Sequence, residues 1–433
     1  MRIITPTKLA IAALLALIAA VTAGGLAALW PDYAEVSRVA ERTPFVAADT
    51  TFETGELLSL SEGCELPAQA KPQPQAQAQA QAPPQPQPQA QTQAQAQTQA
   101  HSDGCVTLAI GLRTGDDAGR VIDLPVRGAI TRADLQPGDR LELLAHAGQE
   151  AGSRYELNND YSVSGVFRGL PLAILALVFA AVVIAVGRLR GLLALLALGI
   201  SAAVILAFLL PALVTGAPGL LVGVVAASAI MFVILYLVHG FNMRTTSALI
   251  GTLCGIAIMA GVSLLAMQAT RLSGIGDEAS GVLAGMVQHI DFRGLLSCSV
   301  IVAGLGILND VTITQASSVW ELRAAAPAMP RRELYASAMR IGRDHIASTV
   351  YTVFFAYVGA ALGVLILLYL YDRPLLSLLT HEDIAIEVVR TLCGSIGLVL
   401  AVPITTWVAA VLAPQGREPM SSQRASEPSP MRD

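Results

Sequence analysis

The chain has 433 residues, 54% apolar and 14% charged, with a net charge of −5 and a mean hydropathy of +0.59. Soluble domains carry about a quarter charged residues, so the composition argues against an ordinary soluble enzyme and for a polytopic membrane protein. Lys8 and Lys71 are the only lysines and no basic tract exists, so the expected partner is the lipid bilayer rather than nucleic acid.

The first apolar run, residues 9–29, follows Arg2 and Lys8. Its roughly 20 residues suffice to cross a hydrocarbon core of about 30 Å, which makes residues 1–30 an N-terminal membrane anchor. A cleaved signal peptide is the rival reading, supported by the small residues at 23–28, but its apolar region is usually only about 7–15 residues. Residues 31–168 are polar and form a second domain. Within it, residues 67–100 repeat Gln-Ala and Pro-Gln. Such a tract buries too little apolar area to order itself, so it is expected to be disordered, with polyproline II near Pro83, Pro84, Pro86 and Pro88. It is either a spacer or, the reading we prefer, a tolerated loop insertion.

The remainder of this domain reads as β-rich. Val106, Leu108 and Ile110 alternate with Thr107 and Ala109, residues 121–126 form a second strand, and Pro137, Gly138 and Asp139 turn into Leu141 and Leu143. Asn158 to Asp160 make a turn before Tyr161 to Val163. About five short strands predict a small barrel or sandwich. No aromatic-plus-basic cluster is visible along this stretch to line a nucleic-acid or sugar groove. Cys64 and Cys105 flank the insert, and outside the cytoplasm they are expected to form a disulfide at its base. Cys254, Cys298 and Cys393 lie in apolar stretches and read as buried thiols.

Apolar runs then cover residues 170–186, 192–210, 219–238, 245–267, 295–307, 349–369 and 388–412. With the first helix they predict an α-helical membrane protein of about eight spans, seven of them in a membrane domain over 169–412, followed by a disordered cytoplasmic tail at 413–433. With the N-terminus in the cytoplasm, the segments on that side collect Arg188 and Arg190, Arg244, Arg323 to Arg343, and the arginines of the tail. The opposite loops are uncharged or mixed, as the positive-inside bias requires. The same choice places residues 31–168 outside the cytoplasm.

Among these spans the sixth stands out as ionisable. Asn309, Asp310, Thr314 and Glu321 follow its apolar part, and Asp310, Thr314, Ser317 or Ser318, and Glu321 share one helical face. Arg343, Asp344 and His345 open the seventh. Three readings compete: Asp310, Asp344 and His345 hold a cation or carry a proton; Asp310 pairs with Arg343 to fix helix registry; or Asp344 merely caps a helix. Glycines four apart (Gly219 and Gly223, Gly251 and Gly255, Gly281 and Gly285, Gly359 and Gly363) suit close helix packing in lipid. Gly304 and Gly306 serve the same purpose or mark an irregular turn. The sequence contains no P-loop, HExxH, CxxC or GxSxG motif, so neither an enzymatic activity nor a cofactor is expected.

Residues 304–313 (GLGILNDVTI) with Glu321, then 341–345 (IGRDH), Thr352 and 356–360 (AYVGA), resemble the YibE/F-like family of bacterial membrane proteins. The resemblance covers about 169–412 and implies a multi-pass protein of the bacterial plasma membrane with an N-terminal extracytoplasmic domain. It supplies no substrate. The Gln/Ala insert departs from the family, as does Gly363, where the family often has proline. The expected function is a secondary transporter or permease for a small solute or ion, with Asp310 as its central polar group. The alternative is a non-transporting scaffold or sensor whose ectodomain binds an envelope partner.

Overall fold

The computed structural model describes residues 6–42, 50–63, 105–146, 161–287, 289–370 and 374–415. The insert at 67–100, Cys64, the turn at 158–160 and the tail beyond Gln415 lie outside the described residues. The chain divides into two compact units, residues 44–179 and the remainder.

The first unit is an antiparallel half-barrel of β1 (Thr50–Glu62), β2 (Val106–Leu112), β3 (Val121–Val126), β4 (Arg140–His146) and β5 (Tyr161–Val166), in the order β3-β2-β1-β4-β5. The long β1 is central. Its first half pairs with β4 and its second with β2, with a bulge between Leu57 and Ser59. Alternation supplies the core: Ile122, Leu124 and Val126 are buried while Val121, Asp123 and Pro125 are exposed. Leu57, Leu108, Ile110, Leu141 and Leu143 complete it. Pro125, which cannot donate to a ladder, sits on an edge strand as expected. At Gly55 any Cβ would stand 2.3 Å from Ile110 Cγ2, so only glycine lets the two strands approach. The strands expected from sequence are present, and β1 is the one that periodicity did not reveal.

The helical unit begins with α1 (Pro6–Ala28) and α2 (Tyr33–Arg42). A stretch running from unit to unit follows as α3 (Gly169–Val204), one widened turn at Ile205–Leu209, and α4 (Leu210–Val214). Then come α5 (Gly219–His239), α6 (Met243–Thr270), α7 (Glu278–Met286), α8 (Phe292–Ala325), α9 (Arg331–Ala360), α10 (Leu362–Leu370), α11 (Leu375–Leu379) and α12 (Glu382–Leu412). Six helical stretches among the described residues are long and apolar enough to cross a membrane, or seven if α9 and α10, bent by 64°, form one span. The sequence predicts eight because it separates 170–186 from 192–210, which the structure joins in 46 residues from Gly169 to Val214. That join is not straight. Arg188 has non-helical φ and ψ of 53° and −133°. A Cβ on Gly191 would lie 2.2 Å from the Val183 carbonyl oxygen, where a straight helix would separate these residues by roughly 12 Å. The chain therefore turns back sharply at Arg188.

Helices α6, α8 and α12 pack mutually at the centre, with α5 and α9 against α8. Their shared core includes Leu235, Leu249, Ile256, Met259, Ile301 and Leu308.

Candidate functional site

Helix α8 carries the expected polar face. Asp291 starts it, its Oδ1 accepting the Gly294 N–H at 3.0 Å. Val300, Ile301, Leu305, Leu308, Val311, Thr312, Gln315 and Val319 are buried, whereas Gly306, Asp310, Thr314 and Glu321 are exposed on the other side. The sequence locates this face correctly, but within a single chain it points away from the packed centre.

Neighbouring helices set its depth. A Cβ on Gly219 would meet the Gly294 backbone at 2.3 Å, and one on Gly223 would meet Cys298 at 3.1 Å. Helices α5 and α8 therefore run side by side in the same direction. Carried forward, that register sets Asp310 level with Leu235 and Thr314 level with His239, the last residue of the 21-residue α5. A 21-residue helix matches the hydrocarbon thickness. Asp310 thus lies about one turn, roughly 6 Å, short of the end of α5, and Glu321 lies beyond that end.

Helix α9 runs opposite to α8. Gln315 Nε2 donates to the Ala338 carbonyl at 3.0 Å, and Ile346 packs against the cluster of Val311, Leu398 and Val402, so Asp344 and His345 come about level with Val311. Arg343 and Asp344 are exposed and His345 is half-buried. Asp344 sits in the middle of α9, so the helix-cap reading fails. Among the described residues no ion pair involves Asp310, Glu321, Arg343 or Asp344, and no group of three or more His, Cys, Asp or Glu is placed to hold a metal. Instead, the neighbours of the two acids are anomalous. Asn309 Oδ1 and His345 Nε2 are both buried without a hydrogen-bond partner, a state that costs free energy unless water or another group fills it.

Of the expected packing glycines, Gly304 faces Met259, whose Sδ would be 2.7 Å from an added Cβ, while Gly306, Gly359 and Gly363 have open space. Cys105 is disulfide-bonded, and its expected partner Cys64 lies outside the described residues.

Sequence reasoning missed three features. First, a buried polar girdle crosses the centre: the Thr252 and Thr312 hydroxyls lie 2.7 Å apart, and Gln315 Nε2 also donates to Thr406 Oγ1 at 2.8 Å. This links α6, α8, α9 and α12. Gln315 between apolar positions was the available signal. Second, Arg323 is 4% exposed. Its Nη1 donates to the Pro327 and Met329 carbonyls at 3.1 and 2.6 Å, closing the α8–α9 connection, while Nε and Nη2 are unpartnered. Third, α12 is a second ionisable span, with Arg390 Nη1 donating to Glu387 Oε1 at 2.6 Å. Glu387 borders a cavity of about 280 Å³ lined chiefly by Phe354, Tyr357, Leu365, Ile384 and Leu392.

Comparison with known proteins places these features within one matched region. A family model described as YibE/F-like protein matches residues 175–415, more than half of the chain. The match contains α5 to α12 and the polar face, and leaves out the half-barrel strands. No curated protein and no solved structure matches.

Proposed function

The chain belongs to the YibE/F-like family, and on that premise we propose that it is a multi-pass permease of the bacterial plasma membrane that moves a small ion or solute. In this reading the chain crosses eight times, the sharp turn at Arg188 dividing the 46-residue stretch into two spans. A continuous 46-residue helix would measure about 69 Å, more than twice the hydrocarbon thickness. Arginine placement puts the N-terminus in the cytoplasm and residues 31–168 outside.

The observation that carries the transport reading is the open polar face of α8, joined at the same depth by two buried, unsatisfied polar atoms. An acid facing hydrocarbon costs roughly 2.5–3.5 kcal/mol, so Asp310 is best accommodated where water reaches it. There it exchanges a proton or cation, with the Asn309 amide oxygen and the His345 imidazole as adjacent acceptors. Asp344 adds a second carboxylate at the same level, and Glu321 and Arg343 stand toward the inner aqueous side.

Purified protein in sealed liposomes tests this, with an internal pH dye and labelled sodium as probes. Wild type is expected to carry at least one of the two, and Asp310→Asn to slow that flux ten-fold or more. Equal flux at equal reconstitution removes the transport claim. The half-barrel, which has its own core, favours a second reading as a scaffold whose ectodomain engages an envelope partner. Deleting residues 31–168 separates the two, because a permease core retains flux whereas a scaffold loses its phenotype completely.

A further inference from the structure

The half-barrel brings together on one pocket residues that its sequence keeps apart, two arginines and a phenylalanine. Arg113, Arg140 and Phe167 come from three separate stretches, yet with Thr54 and Gly55 they line one pocket of about 280 Å³. The β1–β4 register sets Glu56 opposite Arg140. The Phe167 N–H donates to the Arg140 carbonyl at 2.8 Å and the Arg113 N–H to the Thr54 carbonyl at 2.8 Å, so backbone contacts fix both neighbours of the pocket. Arg113 is further held by Glu56, whose Oε2 accepts from its Nε at 3.0 Å and also from its Nη2. The Thr54 and Thr114 hydroxyls lie 3.3 Å apart beside it. Among the described residues the Arg140 guanidinium makes no ion pair.

We propose that this pocket binds a phosphate group, and that its source is the headgroup of an anionic phospholipid. Guanidinium forks match phosphate oxygens bidentately, and hydroxyls add neutral donors. The charge balance is specific. Glu56 offsets Arg113, leaving one net positive charge from Arg140, which suits a singly charged phosphodiester better than a doubly charged monoester. Position points the same way. Phe167 lies two residues before α3, whose first turns expose Leu170, Leu172, Leu175 and Leu177. Aromatic rings concentrate at the level of lipid headgroups. The inference is independent of the transport reading, because the residues that line the pocket lie in the other unit and outside the family match.

The test uses the full-length protein in detergent, with short-chain phosphatidylglycerol, short-chain phosphatidylcholine and inorganic phosphate as probes. Wild type is expected to bind phosphatidylglycerol in preference to phosphatidylcholine. Arg140→Gln should weaken that binding at least ten-fold, Arg140→Lys should weaken it less, and Arg120→Gln, whose arginine pairs with Asp117 at 3.5 Å, should leave it unchanged. Competition by inorganic phosphate at the concentration of the lipid would overturn the lipid source and assign the pocket to free phosphate. An affinity that Arg140→Gln leaves intact, in a variant with wild-type near-UV circular dichroism, overturns the site itself.

Discussion

The two units of this protein share an apolar interior but differ in what else they bury and in what they expose. The half-barrel seals Leu57, Leu108, Ile110 and Leu141 away completely and turns Arg113, Asp116 and Asp123 outward. The helical unit exposes Val182, Val186, Leu265, Phe355 and Leu370, and buries Thr252, Thr312, Gln315 and Thr405. A single chain follows both patterns because the hydrophobic effect acts only where water is the alternative. Between helices in lipid the driving force is close packing and hydrogen bonding, so glycines and hydroxyls share the centre with the leucines and isoleucines of the core. The contrast predicts that side chains of similar burial carry different energetic weight in the two units.

The largest effect is expected in the half-barrel. Leu141 is fully buried, and Leu141→Ala should cost about 2–5 kcal/mol from lost transfer energy and a residual cavity. Hydrogen exchange on the full-length protein should show the amides of β1 and β4 losing at least about thirty-fold in protection, with α6, α8 and α12 unaffected. Loss of protection in both units would mean that they unfold together.

A smaller cost is expected for Gln315→Leu, although Gln315 bonds to two helices. The Ala338 carbonyl lies within α9, and the Thr406 hydroxyl already donates to the Val402 carbonyl at 2.7 Å, so neither partner is orphaned. Interhelical hydrogen bonds in membranes average about 0.6 kcal/mol, which puts the loss near about 1 kcal/mol for two. Unfolding in mixed detergent micelles measures it. A cost exceeding that of Leu141→Ala would break the comparison and make the amide the main organiser of the bundle.

Much of this contrast is legible in the sequence, because both periodicities are local. The apolar runs give the helices, and the alternation from Val121 to Val126 gives a strand. β1 escapes because its period of two breaks at the bulge after Leu57 and because Gly55 reads as a strand breaker until Ile110 is seen beneath it. The polar face of Asp310, Thr314 and Glu321 follows from helical spacing alone. Its depth does not, since that requires the contact of Gly219 with Gly294 across 75 positions of chain. Arg323 reads as a loop charge because the polar helical face is followed only to Glu321, whereas α8 continues to Ala325 and folds the guanidinium under its own connection. The cluster of Arg113, Arg140 and Phe167 is invisible for the same reason: only sheet pairing makes those residues neighbours.

The smallest effect concerns the rim of the half-barrel and appears only in alkali. The Tyr161 hydroxyl donates to Asp117 Oδ2 at 3.2 Å. Burial, with Glu53 and then Asp117 nearby, pushes its pKa up from 10.0 to about 12. Glu53 is itself buried, with Oε2 unpartnered, so a phenolate would add a second negative charge where one is already poorly compensated. The folded state therefore holds the Tyr161 proton more tightly than the unfolded chain. Its contribution to stability is complete below pH 10 and is lost as pH rises from 10 toward about 12, where the unfolded state alone would ionise. In Tyr161→Phe this slope is absent. The variant should be slightly less stable than wild type near pH 8, having lost one hydrogen bond, and should close that gap as alkali is added. Denaturation of the half-barrel followed by hydrogen exchange at several pH values decides it. Parallel curves for the two proteins would show that the acids at this rim are screened by water, and that burial sets the inside of the half-barrel but not its edge.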